Sequence, residues 1–109
     1  MHTQTITHTL VATGPGKQRR FVTAGGAQAV AASKPLGVAL VDFAAGDAVA
    51  AHVVGVCAVE SGGAVALDDA VGPDAQGRAV TVAADATTRA GRALNAVAAA
   101  GQTLLILIK

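Results

Sequence analysis

At 109 residues the chain makes one domain, large enough to bury roughly 65% of the surface that it exposes when unfolded. A formal charge of +1 excludes strong generic attraction to nucleic acid, one cysteine excludes an intrachain disulfide framework, and no apolar tract reaches the length of a membrane span. Hydrophobic residues make up 52% of the chain but only Phe21 and Phe43 are aromatic, so the core has to be built from Ala, Val, Leu and Ile.

In chain order, residues 1–13 alternate Thr with Ile6, His8, Leu10 and Ala12, a pattern that predicts an extended arm. Gly14-Pro15-Gly16 ends it, and Lys17-Gln18-Arg19-Arg20 forms a short basic loop. Residues 1–20 are therefore expected to be arm and basic loop, with 21–109 a single β domain. Phe21–Thr23 is a short strand closed by Gly25-Gly26, and Ala27–Ser33 is open between strand and loop. Pro35 disfavours helix, so Leu36–Phe43 is predicted as a strand. Ala44–Asp47 turns into Ala48–Val59, which is one long strand or two with a kink at Gly55. Ala64–Leu67 is a further strand, Asp68–Gly77 a loop around Gly72-Pro73-Asp74, and Arg78–Ala83 a strand again. Gln102–Ile108 closes the chain as a β-branched run.

One motif is written twice. Gly37-Val-Ala-Leu40 leads through Ala44-Ala-Gly46 into an apolar run, and Gly91-Arg-Ala-Leu94 leads through Ala99-Ala-Gly101 into another. The Ala-rich stretch 87–100 has helical propensity, with Thr87 or Thr88 as N-cap and Gly101 as C-cap. Its twin follows a proline and is rich in Val, so Gly91–Val97 is predicted as a strand. Seven to nine short apolar runs punctuated by Gly, Pro and Asp predict an all-β fold, a small β-sandwich or barrel with an extended N-terminal arm. Charged residues are scarce at 14%, so aliphatic side chains are left at the surface, and an oligomer or attachment to a larger surface is expected.

No catalytic constellation emerges. His2, His8 and His52 do not combine with Cys57 or a carboxylate at zinc-ligand spacing, and Ser33 and Ser61 lie outside any nucleophile turn. Asp68, Asp69 and Asp74 lack the ligand spacing of a calcium loop and are expected to form turns. Cys57 sits in an apolar run and is expected to pack as a small hydrophobe. The weakest of the competing readings is an enzyme using His52 with Asp42 or Asp47. No secretory leader is apparent, so the chain is expected to be soluble and made where it is used.

The succession Pro35-Leu-Gly-Val-Ala-Leu40, Ala44-Ala-Gly-Asp47, Val54-Gly-Val56, Asp74-Ala-Gln-Gly-Arg78 and Gly91-Arg-Ala-Leu94 to Ile108 resembles the small cement, or head decoration, proteins of tailed-phage capsids. The resemblance covers residues 20–109. It implies a β-tulip-like fold and a structural protein with no cofactor, metal or active site. The implied partner is the major capsid protein of a tailed phage, bound on the outer surface of the mature head, with the chain a homo-oligomer and a trimer favoured. It implies no nucleic-acid or membrane partner, and places the protein on the virion after synthesis in the host cytoplasm. On this reading Thr3, Thr5, Ile6, Thr7 and Thr9 add a strand to a capsid-protein edge, and Lys17, Arg19 and Arg20 meet acidic capsid surface at the rim. The competing expectation is a self-assembling small β-barrel that holds an apolar ligand.

Overall fold

A computed structural model describes residues 6–31, 33–83 and 88–108. Among them are eight strands: β1 Ile6–Val11, β2 Phe21–Thr23, β3 Pro35–Ala39, β4 Ala48–Glu60, β5 Ala70–Pro73, β6 Ala79–Thr81, β7 Gly91–Ala93 and β8 Thr103–Ile108. Neighbouring strands run β2-β3-β4-β8-β7-β5-β6, β1 also pairs with β4, and every strand pairing is antiparallel. The fold is all-β as expected: two antiparallel sheets meet at β4, and no helix occurs among the described residues.

Three predicted segments differ in detail. Asp68–Gly77 is not a loop throughout, because Ala70–Pro73 forms β5 between β6 and β7. The strand predicted at Leu36–Phe43 ends at Ala39, and Phe43 returns only as a single bridge to Gly16. Ala64–Leu67 is likewise reduced to one bridge, Val65 to Val97. The contested stretch holds β7, which pairs with both β5 and β8, and then bends away at Leu94.

The twice-written motif proves to be the visible part of an internal duplication that spans the described residues. Residues 6–54 and 55–108 repeat one hydrogen-bond pattern. Leu40 N–H donates to Ala50 O, and Leu94 N–H to Leu105 O. Arg19 N–H donates to Ala39 O and Asp68 N–H to Ala93 O, with Arg19 at φ 60° and Asp68 at φ 70°. Gly16 and Phe43 exchange two backbone bonds, as do Val65 and Val97. Phe21↔Val38 in the first half matches Ala70↔Arg92 in the second, and Val11↔Ala48 matches Glu60↔Thr103. The motif opens on glycine for one reason in both copies. A Cβ on Gly37 would run into the His52 carbonyl oxygen, and one on Gly91 into that of Leu107. Both turns then need a residue at positive φ, supplied by Gly46 (90°) and Gly101 (82°).

Strand β4 belongs to both repeats. Ala48–Val54 ends the first and Gly55–Glu60 begins the second, with the join at Gly55, φ 111°. Each repeat fills its own core with the alternate side chains of its strands. Leu10, Ala12, Val22, Ala39, Phe43, Val49 and Ala51 pack together in the first. Their counterparts Val59, Val71, Ala93, Leu104 and Ile106 do so in the second, joined by Phe21, Ala29 and Val38, which cross over from the first repeat. That crossing fixes the repeats to one another, with Phe21 N–H donating to Gly77 O and Glu60 N–H to Arg19 O.

Candidate binding face

β1 is the first strand of repeat one and pairs only with β4 among the described residues. Leu10 points into the core, while Thr7, His8 and Thr9 are exposed. Ala12 N–H donates to Asp47 O, and Thr13 N–H, one residue on, donates the other way to Gly26 O. Alternation along the strand therefore turns the N–H groups of Thr7 and Thr9 away from β4, toward an edge with no strand partner among the described residues. Ile6 lies in β1, and Thr3 and Thr5 fall outside the described residues.

The basic segment follows the rim on from that edge. Lys17 is exposed, and its N–H donates to Gln28 Oε1 at 3.1 Å. Arg19 is exposed and projects from a left-handed backbone. Arg20 is half-buried at the junction of the repeats, where it reaches Glu60 at 3.3 Å and Gln76 O at 3.3 Å. Its Nε has no acceptor among the described residues. Lys17 and Arg20 share an open groove with Pro15, Gly16 and Gln28. Gln28 escapes a motif search, because a lone glutamine carries no signal until the two repeats are superposed.

A second surface lies on the outer face of repeat two. Val56 stands directly opposite Leu107 and Ala58 opposite Leu105, so all four share one face, and Leu94 is bonded beside them. Leu105 is 42% exposed. Position for position, repeat one carries Thr7, Thr9, Leu40, Ala50 and His52 there, so the aliphatic face is particular to repeat two.

The remaining candidates take structural roles. Asp42 caps Gln18 N–H and Asp47 caps Ala44 N–H. His52 lies five residues along β4 from Asp47, about 17 Å at ~3.3 Å per residue. Asp74 accepts from the N–H groups of Gln76 and Arg78 and pairs with the Arg78 guanidinium at 3.0 Å. Asp69 accepts from Ala66 N–H and the Thr81 hydroxyl. Cys57 is buried, and desolvation lifts its thiol from 9.0 to about 11, which keeps it protonated and unreactive at neutral pH. Two depressions lie at the surface, one lined by Arg89, Ala90, Gly91, Arg92 and Leu107 and another by Arg19, Glu60, Gly101, Gln102 and Thr103. The apolar interior is divided between two packed cores.

A family model described as phage cement protein matches residues 1–108. Among solved structures, the chain is similar to the N base of the head fiber gp8.5 of bacteriophage phi29, with a TM-score of 0.73 at 20% identity, covering 97% of this chain and 95% of that one. No curated protein sequence matches. The chain belongs to the phage cement protein family.

Proposed function

We propose that this phage cement protein attaches to the outer surface of the mature head and stabilises the capsid lattice. Its partner is the major capsid protein. The observation that carries the reading is the outer edge of β1, which has no strand partner among the described residues, in a chain that matches the cement family over residues 1–108. An extended capsid segment laid along Thr7 and Thr9 would gain main-chain hydrogen bonds, and Lys17, Arg19 and Arg20 would face acidic groups at the rim. Self-association, as a trimer, uses the aliphatic face of Val56, Ala58, Leu94, Leu105 and Leu107, because exposed apolar patches on soluble domains mark interfaces. Many copies binding only the mature lattice would stabilise it by linkage and multivalency.

Deleting the arm is a poor test, because Leu10 and Ala12 belong to the core. Thr9→Pro is better. It removes one outward N–H from an edge strand, where proline is tolerated. The wild-type chain is expected to co-sediment with expanded heads, and Thr9→Pro to lose at least tenfold in apparent affinity while Thr9→Val does not. Wild-type binding by Thr9→Pro overturns strand addition, and no binding by the wild-type chain overturns attachment itself.

A further inference from the structure

The internal duplication supplies a template for what the basic groove binds. In repeat two, Asp69 Oδ2 accepts from Ala66 N–H at 3.0 Å and from the Thr81 hydroxyl at 3.0 Å. One carboxylate therefore sits between the segment after the Val65 bridge and the strand that pairs with β5. The same three positions in repeat one are held by Arg20, Lys17 and Gln28. Arg20 O accepts from Ala39 N–H as Asp69 O does from Ala93 N–H, Lys17 follows Gly16 as Ala66 follows Val65, and Gln28 bridges Val22 as Thr81 pairs with Val71. Among the described residues no carboxylate occupies this place in repeat one. Gln28 Oε1 takes over the Lys17 N–H, Arg20 is drawn toward Glu60, and the space between them opens as the groove of Pro15, Gly16, Lys17, Arg20 and Gln28.

The groove is walled mostly by apolar surface, with unmatched donors at its rim: the Gln28 side-chain N–H2 and the Lys17 ammonium have no acceptor among the described residues. Beneath it the buried Nε of Arg20 has none either. Its remaining contacts, at 3.3–3.5 Å, are long for charge-assisted bonds. The geometry points to the repeat-one groove as a receptor for a single carboxylate side chain, Asp or Glu, presented by the partner protein, in the place that repeat two fills with its own Asp69. Identifying that partner as the capsid rests on the attachment reading above, whereas the chemistry of the groove does not.

The test is an NMR titration of the isotope-labelled full chain with acetyl-Ala-Glu-Ala-amide, its Gln counterpart and inorganic phosphate. Saturable shifts are expected at the Lys17 N–H, the Gln28 side-chain amide and Arg20 Nε–H, at least fivefold tighter for the Glu peptide than for the Gln peptide. Gln28→Glu, which sets a carboxylate in the groove from within, and Lys17→Ala should each weaken the response at least fivefold while the rest of the spectrum keeps its folded dispersion. Equal responses to the two peptides, a response to phosphate alone, or responses unchanged in both variants would overturn the proposal. Co-sedimentation with heads separates the two readings. Gln28→Glu that binds heads as well as the wild-type chain overturns the groove as the capsid contact and leaves attachment standing. A wild-type chain that answers the Glu peptide but ignores heads overturns attachment and leaves the groove standing.

Discussion

The two repeats share a backbone and disagree in side chains, and the places where they disagree show what each position is for. Where both copies face their own core, volume is conserved by exchange: the ring of Phe43 occupies the space above Gly16 in repeat one, and Val97 lies against Val65 in repeat two. Where repeat one abuts repeat two, Val38 is buried and packs into the neighbouring core, while its counterpart Arg92 is exposed beside Asp68. Phe21 and Ala70 differ in the same sense, large where the junction has to be filled and small where it does not. At the other end of the array Cys57 is buried and its counterpart His8 is exposed. One backbone thus accommodates an inner and an outer version of the same face.

The hardest test of that contrast exchanges its sides. Val38→Arg buries a charge at the junction with no partner provided and should cost about 4 kcal/mol in urea unfolding, or prevent folding. Arg92→Val gives up only an exposed pair at 3.6 Å and should stay within about 0.5 kcal/mol of the wild type. If the two substitutions cost the same, the inner and outer faces are not distinct. The next test addresses the exchange of volume. Gly16→Val drives a branched side chain into the Phe43 ring and should destabilise by about 3 kcal/mol, of which Phe43→Val in the same chain should restore at least half. Additive losses in the double mutant would show that the two pairs are not alternative fillings of one space. Smaller still is the effect expected at Ser61, the counterpart of Ala12. Its buried hydroxyl donates to Ala99 O at 2.8 Å and accepts from Gln102 N–H at 3.0 Å. Ser61→Ala leaves both partners unpaired and should cost about 2 kcal/mol. A change below about 0.5 kcal/mol would mean that water replaces the hydroxyl.

Much of the fold was legible because strand pattern and glycine placement are local signals. The β-branched run Gln102–Ile108, the short strand Phe21–Thr23 and the long run from Ala48 all stand as strands where the sequence puts them. β7 was reached against its alanine-rich propensity only by comparison with its twin. β5 was missed because Gly72-Pro73-Asp74 signals a turn, and Pro73 in fact closes the strand opposite Ala79 just before that turn begins. Aligning the chain with itself would have found it, since its counterpart is Phe21–Thr23. The alignment was hidden because few residues outside the short motif survived in both copies, and within it the glycines have a backbone reason to persist, Gly37 and Gly91 against a carbonyl and Gly46 and Gly101 at positive φ. The groove was half legible for the same reason. Lys17 and Arg20 announce themselves by charge, whereas Gln28 acquires meaning only from the carboxylate that repeat two places beside its equivalent, Thr81.

The shared strand β4 has a mechanical consequence. Ala48–Glu60 is at once the last strand of one repeat and the first of the other, so tension applied to either is handed across the junction through peptide bonds rather than through side-chain contacts. Under load the chain resists most where the β1·β4 or β4·β8 ladder is sheared along its length. There the hydrogen bonds of Thr7–Val11 or Thr103–Ile108 resist together instead of opening one at a time.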